Sequence, residues 1–182
     1  MDFAIEKNKL LSALTTLSKI NPNRTTLPIL STVLIKTNSN NSAVFRTTDL
    51  EVEMEIDIEA KILEEGETCA PIYKLLEISN IISEDVVSIN VNETQRMRIK
   101  TSTGKYLLMC NKTEEFPDHR EFPDTPQLVG ANFLRETIKS TTYACSKDEL
   151  KPTLNGVLVS FGSTSVTSVS TDGHRLVKFI CK

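Results

Sequence analysis

The chain repeats itself, and a chain that repeats must fold as copies of one unit. Leu154, Val157 and Leu158 stand 124 residues after Leu30, Val33 and Leu34, and Thr171-Asp172 stands 123 after Thr48-Asp49. Leu134 answers Leu10 or Leu11 at the same offsets. A constant offset across a helical segment and two strand-like segments is hard to obtain by chance. A shorter echo lies inside the first copy, where Lys74-Leu75-Leu76 follows Lys9-Leu10-Leu11 by 65 residues.

The periodicity says what the unit contains. Residues 2–6 alternate apolar and polar, the mark of a short strand. Leu10, Leu11, Leu14, Leu17 and Ile20 then fall at helical spacing, opposite Asn8, Ser12, Thr15 and Lys19. That predicts an amphipathic helix of about four turns, stopped by Asn21-Pro22-Asn23. Residues 29–36 and 43–47 read as strands around a turn cluster at 38–42. Residues 51–58 alternate strictly, with one acidic and one apolar face.

After Gly66 the pattern starts again. A strand is expected at 68–70, and Pro71 suits a helix start. Leu75, Leu76, Ser79 and Ile82 mark a second helix, and strands follow at 86–91, 96–101 and 106–111. Strand, helix, three strands thus occurs twice. The prediction is an α+β fold, with two helices side by side and two small antiparallel sheets in each domain. Pro117, Pro123 and Pro126, among many charges, mark residues 113–127 as a linker or a domain-edge loop. The first domain is therefore placed at 1–127, and 128–182 as the first half of a second, ending on a still strand-like Lys178-Phe179-Ile180-Cys181.

Composition narrows the function. Aromatic residues make up 5% and Trp is absent, which argues against a platform for stacking unpaired bases. A net charge of −3 excludes a general polycation but allows a local basic face. An acid at position 2 and the lack of a long apolar run exclude a secretory signal and a spanning helix, so a cytoplasmic protein with no membrane partner is expected. Cys69, Cys110, Cys145 and Cys181 contain no CxxC pair, which predicts reduced thiols, no zinc and no cofactor. His174 beside Asp172 suggests a hydrolase triad, but no nucleophile elbow exists. His119 and His174 have no third metal ligand at usable spacing. Asp49 and Asp172 read as turn residues, and the isolated Gly162 and Gly173 make no phosphate loop. The chain is expected not to be an enzyme.

Charge is distributed unevenly. Lys9, Lys19 and Lys74 belong to the first copy's helices, Arg135 and Lys139 to the second's, and Arg24 follows the first helix. Glu51, Glu53, Glu55, Asp57 and Glu59 fall on one strand and its end. Basic helices on one face and an acidic sheet on the other are expected. The plain alternative is a solvated helix surface.

Four motifs carry a family resemblance: Arg24-Thr25-Thr26-Leu27-Pro28-Ile29-Leu30, Thr48-Asp49-Leu50-Glu51, Leu154-Asn155-Gly156-Val157, and Thr171-Asp172-Gly173-His174-Arg175-Leu176. In order and spacing they closely resemble the bacterial sliding clamps, the beta subunits of DNA polymerase III. The resemblance covers this whole chain but only about the first half of a family chain, so the family's third domain is absent. It implies the DNA-clamp fold and a head-to-tail homodimer of three-domain chains closed around duplex DNA. Such a ring tethers the polymerase during replication, does no chemistry and needs no cofactor.

Sliding needs weak, sequence-blind phosphate contacts. The resemblance makes Arg24 a DNA-facing residue and Lys9, Lys19, Lys74, Arg135 and Lys139 further candidates. Ser12, Thr15 and Thr16 can add water-mediated contacts. It places Leu154, Thr171, Gly173, His174, Arg175 and Leu176 in one wall of a cleft for short motifs of the polymerase catalytic subunit, the clamp loader and repair proteins. Leu154 and Leu176 are expected on the floor of a shallow apolar groove, whose other wall would lie beyond Lys182. Tyr106 and Leu108 match the apolar positions of the edge strand at the dimer interface. The runner-up is a clamp-like partner-binding module that does not encircle DNA. A gene that continues past Lys182 would decide for the clamp.

Overall fold

The computed structural model describes residues 1–21, 25–102, 104–118, 128–148 and 150–181. The chain divides into two compact units, Met1–Arg120 and Glu121–Lys182. The domain boundary expected near residue 127 lies outside the described residues.

Unit 1 runs β1 (Asp2–Glu6), α1 (Lys7–Leu17), β2 (Thr32–Asn38), β3 (Ser42–Thr48) and β4 (Glu53–Glu64). It continues with β5 (Gly66–Pro71), α2 (Ile72–Ile81), β6 (Val86–Val91), β7 (Arg96–Lys100) and β8 (Lys105–Met109). Strand, helix, three strands is indeed written twice. Every pairing is antiparallel.

The strands make one eight-stranded sheet, in the order β5-β2-β3-β4-β1-β6-β7-β8, rather than two small ones. The join is β4, whose first part pairs with β3 and whose last part pairs with β1. At twelve residues it is long enough to serve both halves. The far strands meet again at a single bridge, where the Cys69 N–H donates to Asn111 O at 3.1 Å and the Asn111 N–H to Cys69 O at 2.8 Å. Each half's opening strand thus borders both halves: β1 lies between β4 and β6, and β5 between β2 and this bridge to the end of β8.

Both helices bury their apolar stripe. Leu10, Leu14 and Leu17 of α1 and Ile72 and Leu75 of α2 are fully buried, against Phe45, Ile35, Ile89 and Ile99 of the strands. Ser79 in this interior is satisfied, since its hydroxyl donates to Leu75 O at 2.7 Å. Helix α1 has eleven residues, about three turns rather than four. Its end tightens to i→i−3 bonds at Lys19 and Ile20. Asn21 then leaves the helix and donates to Leu30 O at 2.7 Å. The expected strand at 29–36 begins only at Thr32. Pro28 opens a single 3-10 turn, Pro28–Ser31, because its ring fixes φ at a helical value.

Phe116 covers the opposite face of the sheet at Leu34 and Cys69, with the Arg46 guanidinium 5.6 Å from its ring centre. Burial pushes the Cys69 thiol up to about 12, which keeps it protonated and unreactive.

Unit 2 contains α3 (Ala131–Thr141), β9 (Leu158–Phe161), β10 (Val166–Thr171) and β11 (Leu176–Cys181). Helix α3 repeats α1 at an offset of 124 at both ends, and the 3-10 turn Pro152–Leu154 opens 124 after Pro28. The end of β10 and the start of β11 repeat those of β3 and β4 at 123. The sheet order is β11-β10-β9, antiparallel throughout.

The two interiors differ. Thr137, Thr141, Ser168 and Ser170 are buried where unit 1 has Ala13, Leu17, Phe45 and Thr47. One bond survives the exchange: Ser170 Oγ donates to Thr141 O at 2.6 Å, as Thr47 Oγ1 does to Leu17 O at 3.4 Å. Leu134 keeps the repeat position of the buried Leu10 yet is 50% exposed. In unit 1 helix α2 packs beside α1, and the described residues of unit 2 hold no second long helix.

Candidate nucleic-acid and peptide interfaces

The cleft motif is a turn, and the repeat builds that turn twice. Asp172 Oδ1 accepts the N–H groups of His174 at 2.9 Å and Arg175 at 3.0 Å. Asp49 Oδ1 accepts those of Glu51 at 3.0 Å and Val52 at 2.7 Å. Thr171 Oγ1 donates to Arg175 O and accepts from Gly173, as Thr48 Oγ1 does with Val52 O and Leu50. Both aspartates are turn residues, as their residue type predicts.

The turn forces its third residue into the left-handed region, with φ +90 at Gly173 and φ +80 at Leu50. Glycine adopts that region freely, whereas leucine carries a Cβ penalty. Leu50→Gly is therefore expected to stabilise unit 1 by about 1 kcal/mol in urea unfolding, net of the glycine's greater unfolded-state freedom. A destabilised variant would contradict this account of the turn.

The N–H groups of His174 and Arg175, followed by the Arg175 guanidinium, hold the Asp172 carboxyl down to about 2. A depressed acid stabilises the fold above its unfolded value of about 3.9, and the contribution disappears as pH falls through the folded value. The turn should accordingly loosen between about pH 4 and pH 2. Lower protection of the His174 and Arg175 amides, taken relative to the intrinsic exchange rate at each pH, is the expected reading in that window.

Arg175 is fixed on both sides. Its Nε donates to Asp172 Oδ2 at 2.9 Å and its Nη2 to Tyr143 O at 2.7 Å, with the guanidinium 5.7 Å from the Tyr143 ring centre. It ties the turn to the end of α3 and holds the wall in shape, rather than standing as a loose donor at a rim. A cavity of about 720 Å³ opens beside it, lined by His174, Arg175, Tyr143, Cys145, Lys147 and Lys151 among others. Neither Leu154 nor Leu176 lines that cavity.

The two leucines expected on the floor of an apolar groove take different positions. Alternation along β11 turns Val177, Phe179 and Cys181 inward and leaves Leu176 outward, opposite Thr171 and 65% exposed. Leu154 is half-buried in its 3-10 turn, where its carbonyl accepts the Ser146 N–H at 2.9 Å. Sequence reasoning missed Tyr143, Lys147 and Lys151. The usable signal was the repeat, since Tyr143 stands 124 after the DNA candidate Lys19.

The DNA candidates take different positions. Lys74 is exposed at the third residue of α2, as Lys9 is on α1, and Lys19 is exposed just past the end of α1. Arg135 and Lys139 are exposed four residues apart on α3, so they share one face. Arg24 lies outside the described residues, as does His119.

Charge separation is less clean than expected. Lys9 Nζ lies 3.0 Å from Glu59 and 3.6 Å from Glu6. The hydrogen bond and charge of Glu59 push its pKa up. Helix α1 packs against β4, so the end of the acidic strand meets the first basic residue. The hydroxyl of Thr16 is turned back onto Ser12 O at 2.9 Å.

At the interface strand, Leu108 is 8% exposed inside the core and Tyr106 packs half-buried against it. The exposed apolar side chains of β8 are instead Leu107 and Met109. Strand β8 pairs with β7 on one side and, over Lys105–Met109, with no strand on the other among the described residues. Among those residues no group of three His, Cys, Asp or Glu could hold a metal ion, and no helix is long and apolar enough to cross a membrane.

Comparison with known proteins agrees with this geometry. The family profile described as DNA polymerase III beta subunit, N-terminal domain, matches residues 1–120, and the one for its central domain matches residues 128–181. The beta sliding clamp of Pseudomonas aeruginosa is 31% identical over 182 residues, which is 97% of this chain and 48% of that protein. The beta sliding clamp of Chlamydia muridarum is 27% identical over 179 residues, 98% of this chain and 49% of that one.

Among solved structures, the DNA polymerase III subunit beta of Pseudomonas aeruginosa superposes with a TM-score of 0.92 at 30% identity, over 100% of this chain and 50% of that one. The sliding clamp of Bacillus subtilis shares the fold, with a TM-score of 0.95 at 23% identity and the same coverage. The chain spans about half the length of the relatives it matches.

Proposed function

This chain belongs to the family of DNA polymerase III beta subunits, the sliding clamps, and from that premise we propose that it serves as a DNA polymerase processivity factor. In this reading it contributes to a ring around duplex DNA that tethers the replicative polymerase in the cytoplasm and does no chemistry itself. The observation that carries the proposal is the paired match: two successive units fit the family's N-terminal and central domains and are built on one repeat. Repeated units joined end to end suit a ring, which closes when successive head-to-tail contacts turn through a full circle.

Arg24, Lys19, Lys74, Arg135 and Lys139 would meet phosphates, with Lys9 contributing less because Glu59 already neutralises it. The turn at Thr171–Leu176, with Leu154, would receive linear motifs of the polymerase, the clamp loader and other partners. The free edge of β8, backed by Tyr106 and Leu108, would join a second subunit in the homodimer.

The test is topological. The protein expressed from its own gene is loaded onto a nicked circular plasmid by a clamp loader and separated by size from free protein. Retention on the circle, with release once the plasmid is cut to a line, is the expected result. Equal retention on circle and line would replace the ring with a clamp-like module that binds without encircling. No retention on either would reject both readings.

A further inference from the structure

We propose that Asn155 is a positioning residue of the candidate peptide site, and that its carboxamide holds the loop through Ser146, Lys147, Asp148 and Lys151 as a wall of the cavity beside the Asp172 turn. This role rests on the reading of that turn as a receiver of linear motifs. Asn155 belongs to one of the motifs that carry the family resemblance, yet only its neighbour Leu154 has so far been given a task. The groups facing the end of the Asn155 side chain are all carbonyl oxygens, so the carboxamide turns its nitrogen to them. That nitrogen lies 3.2 Å from Ser146 O, 3.1 Å from Asp148 O and 3.2 Å from Lys151 O. Its N–H groups are thus shared among acceptors spread over the whole loop.

The backbone closes the same loop. The Ser146 N–H donates to Leu154 O at 2.9 Å, and the Lys151 N–H to Asp148 O at 3.0 Å. Ser146 Oγ accepts the Asp148 N–H at 3.1 Å. Little apolar burial backs these bonds: Lys147, Asp148 and Lys151 are exposed, and Leu150 is 90% exposed. A segment with so few apolar contacts takes its shape from its hydrogen bonds. Asn155 reaches its carbonyls from the end of the 3-10 turn that carries Leu154, and so ties turn and loop together.

The repeat separates this task from ordinary folding. The position 124 residues before Asn155 is Ser31, whose hydroxyl donates to Pro28 O at 2.6 Å, inside its own 3-10 turn. That turn therefore forms in unit 1 without a carboxamide. What the amide adds in unit 2 is the grip on the loop. Lys147 and Lys151 of that loop line the cavity together with Tyr143, His174 and Arg175. A released loop would let both lysines swing away from a bound motif, and the lost preorganisation would cost affinity.

The experiment uses the protein expressed from its own gene, its variants Asn155→Ser and Asn155→Asp, and a fluorescein-labelled peptide with the clamp-binding motif of a polymerase catalytic subunit. Fluorescence anisotropy reads affinity, and hydrogen exchange reads the loop. Asn155→Ser should bind about fivefold more weakly and Asn155→Asp about twentyfold, since the new carboxylate faces carbonyl oxygens. Thermal melting should stay at the parent's value, because Asn155 is exposed and the turn accepts serine in unit 1. Protection of the Ser146 and Lys151 amides should fall in Asn155→Ser, while that of the β10 amides holds.

A pH series reports on the amide as a donor. The carbonyl oxygens around the new carboxyl of Asn155→Asp raise its pKa, and once protonated it offers an O–H to the loop. That variant should regain affinity relative to the parent between about pH 7.5 and about pH 5, and Asn155→Ser should not. Lys147, Asp148 and Lys151 of the loop and Asp172, His174 and Arg175 of the turn are common to all three proteins, so the ratio of affinities at each pH isolates position 155.

Unchanged protection in Asn155→Ser would overturn the proposal, and so would lost protection with unchanged affinity. Weak binding by Asn155→Asp at every pH, with Asn155→Ser like the parent, would mean that the added charge repels the peptide, and the proposed role would fall. A parent protein that does not bind the peptide would remove the reading of the cleft, and the exchange data would still decide whether Asn155 holds the loop.

Discussion

Phe45→Ala is expected to cost unit 1 about 4 kcal/mol, as the removal of a fully buried ring does in other cores. Phe45 stands in the middle of β3, is 0% exposed and belongs to the main core cluster with Leu10, Leu14 and Leu17. The loss combines the transfer energy of the ring with the void left beneath α1, because strands paired on both sides cannot collapse to fill it. A domain of this size has about 5–15 kcal/mol in total, so the urea midpoint of unit 1 should fall steeply. The repeat supplies an internal control. Its position in unit 2 is Ser168, which is buried beneath a helix that carries Thr137 in place of Ala13. Unit 2 has its own compact interior, so its unfolding signal should stay where it is. A loss below about 1 kcal/mol would mean that the two halves of unit 1 do not share the core described here.

The parts of the fold that the sequence made legible are those set by local periodicity. Alternation in residues 2–6, 86–91 and 96–100 and the three- and four-residue spacing of Leu10, Leu14 and Leu17 translate directly into β1, β6, β7 and α1. The repeat was legible to the residue, since α3 begins and ends at the same offset from α1. What was not legible depends on partners distant in sequence. Nothing local tells β4 to border both β3 and β1, or Cys69 to meet Asn111. The pairing of Lys9 with Glu59 follows from how α1 packs on β4, not from either segment alone.

The same distinction explains the candidate site. The Thr171-Asp172-Gly173 turn is a local hydrogen-bonded device, and residue type was enough to read it. The exposure of Leu176 depends on what covers the outer face of β10 and β11, which no periodicity encodes. The cationic face of β7, where Arg96, Arg98 and Lys100 are exposed, was hidden for a related reason. The acidic alternation of β4 suggested one charge for the whole sheet, whereas the sheet turned out to carry both signs on different strands.

Leu154→Ala combined with Leu176→Ala is expected to weaken binding of a clamp-binding peptide by about 3 kcal/mol, more than a hundredfold in Kd, in a clamp of family length. Each change alone should cost about 1–2 kcal/mol, the usual cost of removing a central apolar anchor. Leu176 is 65% exposed in this chain, so truncating it removes almost no folding contact, and any lost affinity reports on the peptide. Leu154 is half-buried, and its variant therefore needs a melting curve alongside the titration. Arg175→Lys separates anchoring from shaping. It keeps the charge but gives up the fork that holds Asp172 and Tyr143 O together. If Arg175 sets the shape of the wall, this variant should also lose affinity, and the amide signals of the Asp172 turn should shift before any peptide is added. If both leucine variants bind as well as the parent with their folding intact, the leucines are ordinary packing residues and the motif must dock elsewhere. If only Leu176→Ala matters, the anchor sits on the outer face of β11 and the 3-10 turn of Leu154 serves the fold alone.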